Sequence, residues 1–284
     1  RCIGDRGWMR LLALGCGFSM GCGDDDGALD AGMDAGFDAA PDAPSSDAAL
    51  ADVAVDPDAG PVFEPRLSET GLYQADGETL ADGVRTFDVR YPLWSDGAEK
   101  QRFLWLPPGT AIRTLVPDHW NFPVGTKLWK EFRVGGVRVE TRLLHKTGPE
   151  AWTHVAYVWR DDESDADVAP EGVVDARGTD HDVPSTSQCI TCHRGSRDFV
   201  LGVGAFELAQ ADFDAMLAED LFAGDARLAE PPGDEVARAG LGYLHGNCGC
   251  CHADASPVGG VRSLRARLLF DTASVAETPF VQTA

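Results

Sequence analysis

Two short stretches constrain this chain more than anything else in it: Gln188-Cys189-Ile190-Thr191-Cys192-His193 and Asn247-Cys248-Gly249-Cys250-Cys251-His252. Each contains C-x-x-C-H, the pattern through which a c-type haem is attached covalently. The spacing has a geometric reason. Two thiols three positions apart reach the two vinyl groups of one porphyrin if the backbone between them makes about one helical turn. The histidine that follows points the same way and can give the iron a proximal imidazole. The two pairs start 59 positions apart and could instead form a four-thiolate zinc site, although structural zinc motifs usually bring the second pair closer. A redox dithiol would follow a strand in a βαβ unit, which the pattern around these motifs does not offer. Neither alternative requires a histidine after both pairs.

On these ten motif positions the chain resembles a c-type cytochrome with two haem c groups. Cys189 and Cys192 would hold one with His193 as proximal ligand, and Cys248, Cys251 and His252 would hold the other. A six-coordinate iron needs a second axial ligand, usually Met or His. The candidates are Met216, His181 and His245. Met216 sits on an apolar helical stripe, where core packing competes with ligation. His245 shares a helical stretch with Cys248 and could serve only the other haem. Cys250 is a spare thiol inside the second motif, either an inert buried cysteine or a redox sensor.

The start of the chain points to export. Arg1, Arg6 and Arg10 precede an apolar run from Leu11 to Met20, long enough for a signal sequence and too short to span a bilayer. Ser19-Met20-Gly21-Cys22 then resembles the lipobox of bacterial lipoproteins, with Cys22 as the lipidated residue. Residues 1–22 are accordingly expected to be a lipoprotein-type signal, and residues 23–62 a disordered linker. From Asp24 to Asp58 there are eleven aspartates and no Lys or Arg, in repeats such as Asp34-Ala35 and Asp38-Ala39. Such a segment buries too little apolar surface to offset its chain entropy, and its charge extends it as a tether. The formal net charge of the whole chain is −22, which argues against a nucleic-acid partner because phosphate binding needs clustered cations. An exported location also suits covalent haem, whose attachment takes place outside the bacterial cytoplasm.

Residues 63–175 read as a β-rich domain. Gln101–Leu106, Ala111–Val116, Lys127–Val134, Val137–His145 and Trp152–Trp159 have strand character, and Gly135-Gly136 is a two-residue hairpin signal. In Val137–His145, Val137, Val139, Thr141 and Leu143 are expected on one face. Short turns between successive strands suggest an antiparallel sandwich or barrel. Six of the seven tryptophans fall between Trp94 and Trp159, as expected for the core of a sheet, and His119, His145 and His154 would form a metal site only if the sheet gathered them. Residues 176–284 read as a mainly α, cytochrome c-like dihaem region. Phe206, Ala209, Phe213, Met216, Leu217 and Leu221 recur at helical spacing between Ala205 and Phe222, and Asp234 can cap a helix leading into Cys248.

Several further segments extend the resemblance over residues 66–270: Tyr91-Pro92-Leu93-Trp94-Ser95-Asp96-Gly97-Ala98-Glu99-Lys100, Leu106-Pro107-Pro108-Gly109, Phe122-Pro123-Val124-Gly125-Thr126, Glu140-Thr141-Arg142-Leu143-Leu144, Pro184-Ser185-Thr186-Ser187-Gln188-Cys189 and Tyr243-Leu244-His245-Gly246-Asn247-Cys248. Together they resemble a family of exported bacterial c-type cytochrome-like proteins with paired C-x-x-C-H motifs after a β-rich region. The resemblance implies a β-rich part joined to a haem part that continues, with a methionine-containing segment, beyond Ala284. The expected role is electron transfer between redox partner proteins by a periplasmic or outer-membrane lipoprotein. The competing roles are a haem enzyme, peroxidase-like or dehydrogenase-associated, and a zinc-binding surface lipoprotein.

Overall fold

The computed structural model of the protein describes residues 63–196, 198–253 and 264–284. The signal sequence, Cys22 and the Asp/Ala linker, residues 1–62, lie outside the described residues. In chain order the strands are β1 (Arg85–Thr86), β2 (Glu99–Trp105), β3 (Ile112–Arg113), β4 (Lys127–Val134), β5 (Val137–Gly148), β6 (Ala151–Trp159), β7 (Ala166–Val168) and β8 (Phe222–Ala223). The helices are α1 (Thr186–His193), α2 (Gln210–Ala218), α3 (Glu235–Cys248) and α4 (Pro279–Thr283).

The region before residue 175 is β-rich, as the alternating apolar pattern requires. Its centre is one six-stranded antiparallel sheet in the order β1-β2-β4-β5-β6-β7. Among the described residues no second large sheet faces it and its outer strands do not pair with each other, so it is neither a two-sheet sandwich nor a closed barrel. β3 leaves this sheet to pair in parallel with β8, which lies more than a hundred positions later. The segment Ala111–Val116 is therefore shortened to Ile112–Arg113.

Gly135 and Gly136, with φ of 58° and 84°, form the turn between β4 and β5; both need the left-handed region, which favours glycine. Val134 pairs with Val137 across the turn, but the register slips between Phe132 and Arg133. Val139 is the extra residue. Strict alternation ends there: Val139 packs with Ala156, Ala176 and Val183, whereas Leu143 packs with Phe103, Trp129 and Tyr157.

Both faces of the sheet are covered. On one, Phe103, Trp129, Leu143, Val155, Tyr157 and Trp159 pack with Leu67 and Leu72 from the segment before β1. On the other, Leu104 and Leu128 join Ile112, Trp120 and Phe122, and also Val200, Val203, Leu208, Phe213 and Met216 from beyond residue 175. Full burial of each large apolar side chain contributes roughly 1.5–3 kcal/mol. The tryptophans are mainly core residues, as expected, but Trp94 is exposed.

Beyond β7 the chain is a succession of short helices and irregular segments. The helical spacing read between Ala205 and Phe222 yields a helix only over Gln210–Ala218. Phe222 turns into β8, where it stacks edge-on to Trp120 with centroids 5.2 Å apart. Asp234 caps α3 as expected, its carboxylate accepting from the Ala237 amide at 2.9 Å. No helix among the described residues is long and apolar enough to cross a membrane.

Candidate functional site

Local capping places the first motif. The Ser185 side chain accepts from the Gln188 amide while the Gln188 side chain accepts from the Ser185 amide, a reciprocal capping box that starts α1. Cys189, Cys192 and His193 fall in the closing turns of that helix. The second motif begins where α3 ends, and its turn continues through the His252 amide, which donates to the Cys248 carbonyl at 2.8 Å. Both motifs thus have the local helical turn that the thiol spacing demands.

The two motif histidines are oriented by the same device. His193 Nδ1 donates to the Phe199 carbonyl at 2.6 Å, and His252 Nδ1 donates to the Leu264 carbonyl at 3.3 Å. A neutral imidazole bound in this way carries its proton on Nδ1 and leaves Nε2 as the lone-pair nitrogen, the arrangement expected of a metal-binding histidine. Phe199 holds φ at 57°, a costly conformation for a bulky residue, and its carbonyl is the one that fixes His193. Burial, reinforced by the nearby His154, pushes His193 down to about 3, so the ring is neutral at ordinary pH.

The fold brings the two motifs into contact. A β-carbon at Gly195 would lie 1.9 Å from the Cys250 carbonyl oxygen, so only glycine permits this approach. Cys192, Cys250 and Cys251 have their sulfur atoms within 4.8 Å of one another. Contacts with the Cys250 and Cys251 thiols favour the Cys192 thiolate, while Cys250 and Cys251 are shifted toward the protonated form.

Behind the second motif, α3 rests on the segment that starts at Tyr91. The Tyr91 ring covers Gly242 and its carbonyl covers Gly246, where any side chain would collide. The Trp94 amide donates to Asn247 Oδ1 at 2.7 Å. His245 is engaged on both ring nitrogens: Nε2 donates to Glu207 at 2.8 Å and Nδ1 accepts from the Leu268 amide at 2.9 Å.

Behind the first motif lies the sheet face that carries Leu104, Leu128, Leu144 and His154 in one cross-strand row. The next row is Arg102, Lys130, Arg142 and Ala156. Three cations directly opposite one another repel. Glu140 offsets part of this by accepting from Arg142 at 2.5 and 2.9 Å. Burial, with Arg102 and Arg142 adding to it, still pushes Lys130 down to about 7; burial and the same arginines lower Lys100 to about 8. The charge of Arg142 acts on both Cys189 and Cys192. A positively charged row beside the first motif suits an anion, and the two carboxylates of a porphyrin have the required sign.

His181 donates to Glu140 at 2.8 Å and packs against Phe132, and Met216 is buried in the apolar core with Phe213. The three distal-ligand candidates therefore all have other partners. The His119/His145/His154 grouping is divided by the sheet, because His145 pairs with Thr153 and His154 with Leu144, on opposite faces. Sequence reading missed the Arg102–Lys130–Arg142 row and the role of Asp198. The Asp198 carboxylate is buried and accepts from the Phe122 amide at 2.6 Å, Lys146 at 2.6 Å and the Trp152 indole at 3.2 Å. It ties the loop after the first motif to the sheet.

No family model, curated protein sequence or solved structure matches this chain.

Proposed function

We propose that this chain is a dihaem c-type cytochrome-like protein that passes electrons between redox partner proteins. Cys189 and Cys192 would hold one haem c, with His193 ligating its iron, and Cys248 and Cys251 would hold the second, with His252 in the same role. The four thiols would hold the two groups covalently through thioether links, an addition that would need no net oxidant. The bound irons supply one-electron chemistry. The observation that carries this reading is the shared orientation of His193 and His252, each with Nδ1 on a backbone carbonyl and Nε2 left for a metal. The cation row beside the first motif and the contact between the motifs support it, since they offer charge compensation and a short path between the two groups.

The wider reading keeps the sequence-based expectations: export, a lipid anchor at Cys22 in a periplasmic or outer-membrane-associated lipoprotein, and no nucleic-acid partner. An enzymatic role, peroxidase-like or dehydrogenase-associated, belongs to the same haem reading and requires an open position on one iron.

A second reading is favoured by one observation. Cys192, Cys250 and Cys251 come from different motifs and already stand close enough to share a soft metal such as zinc. It uses Cys250, which haem attachment does not.

One preparation separates these readings. The protein is expressed with haem-attachment machinery, stained for covalent haem after denaturing electrophoresis, and titrated as the pyridine adduct. Two haems per chain are expected. A colourless chain with one zinc that Cys250→Ala abolishes would replace the first reading with the second. In fractionated cells, Cys22→Ala is expected to leave the membrane fraction, and its retention there would overturn the anchor.

A further inference from the structure

We propose that His154, on strand β6, is the second axial ligand of the iron bound by His193, so that the sheet itself forms the far wall of the first haem site. The inference rests on the haem reading above and goes beyond it by assigning a ligand that neither motif contains.

The starting point is an unsatisfied side chain. His154 is buried at 2% exposure, and neither ring nitrogen has a partner at hydrogen-bonding geometry; the Trp152 backbone lies only near enough to oppose weakly the effect of burial. A buried polar group without a partner typically costs about 1–3 kcal/mol, so such groups are rare and usually have a use. Here the use is indicated by what the ring faces. The His154 and His193 ring centroids are 4.9 Å apart, with their planes inclined at 59°. His193 has committed Nδ1 to Phe199 and kept Nε2. The buried His154 and the half-buried His193 thus bring three uncommitted nitrogens together at the first motif.

The surroundings fit a haem better than a bare ion. Immediately along the same sheet face from the Leu144–His154 pair are Lys130 and Arg142, cations suited to porphyrin carboxylates. Half-buried Leu144 lies directly opposite His154, an apolar neighbour suited to a porphyrin edge, while Leu104 and Leu128 farther along the row belong to the core. His154 lies in the part of β6 that pairs with β5, opposite Leu144, so a regular strand sets the direction of its side chain. Metal–imidazole bonds of about 2 Å place two rings sharing one ion farther apart than 4.9 Å. The proposal therefore requires α1 and β6 to separate as the porphyrin enters.

The test compares the haem-loaded wild type with His154→Ala and His154→Met, using haem count, visible absorption and electron paramagnetic resonance. In the wild type one haem is expected to be low-spin with two imidazole ligands. In His154→Ala both haems should remain attached, while one becomes high-spin in the ferric state and binds carbon monoxide in the ferrous state. Added imidazole should restore the low-spin signal. In His154→Met that haem should return to low spin with the long-wavelength band of iron–thioether ligation. If loaded His154→Ala keeps the wild-type spectra, the assignment is wrong and the haem reading survives. If His154→Ala fails to fold, a wild-type spectrum without a bis-imidazole signature is sufficient to overturn it. A wild type with no haem overturns both.

Discussion

At the scale of single residues, the most consequential side chain outside the motifs is Asp198. Its carboxylate gathers a backbone amide, an ammonium and an indole, all from the sheet side of the molecule, onto the loop that follows the first motif. Lys146 is only 1% exposed, so removing its partner would leave an almost fully buried, unpaired cation. Breaking such a pair from one side typically costs about 3–5 kcal/mol. Asp198→Ala should lower stability by about that amount in denaturant titration, whereas a double replacement of Asp198 and Lys146 by apolar residues of similar size should recover much of the loss. A loss below about 1 kcal/mol in the single variant would show that the pair does not hold the loop. None of this was legible beforehand. Asp198 follows the motif as an ordinary loop aspartate, and only the fold supplies its three donors.

At the scale of elements, β2, β4 and β5 align Arg102, Lys130 and Arg142. The depressed Lys130 fixes the sign of a pH effect in the haem-free chain. Its folded value is about 7, below the ordinary lysine value near 10.4, so between these limits the unfolded chain binds more protons. Stability should therefore rise as pH increases from about 7 to about 10, the destabilisation being complete below that window. Lys100, lowered to about 8, acts in the same direction. Lys130→Met should flatten the rise in thermal melts taken across this range; an unchanged slope would mean that burial and its cationic neighbours do not depress Lys130. Under the proposed haem reading, the same variant should lower the first haem's reduction potential, because a nearby cation favours the reduced, less positive iron. The strands themselves were largely legible: Lys127–Val134 was read with its observed limits, and the paired glycines marked the hairpin. The alignment was not. A two-residue turn without a bulge would set Lys130 opposite Thr141, and the extra residue at Val139 sets it opposite Arg142 instead.

At the scale of the whole molecule, the part before residue 175 and the part after it share one core. Leu104, Ile112, Trp120, Phe122 and Leu128 bury themselves against Val200, Val203, Leu208, Phe213 and Met216, and β3 completes its pairing with β8. The boundary drawn between residues 175 and 176 separates the two patterns in the sequence, but the packing crosses it. A fragment ending at residue 175 should expose that face of the sheet, bind a hydrophobic dye and lose the sharp unfolding transition. A fragment that melts cooperatively and resists proteolysis would show that the β-rich part folds independently.

The sequence by itself determined the features governed by near neighbours along the chain. These are the two C-x-x-C-H turns, the caps at Ser185 and Asp234, the glycine hairpin and the alternation of the long strands, since each depends on residues only a few positions apart. Tertiary structure decided which distant groups meet. It set Gly195 against Cys250, turned His145 and His154 to opposite faces, and placed His154 in front of His193. The physical reason is that strand pairing, a one-residue bulge and the packing of loops onto a sheet fix such meetings collectively, and no local propensity encodes them.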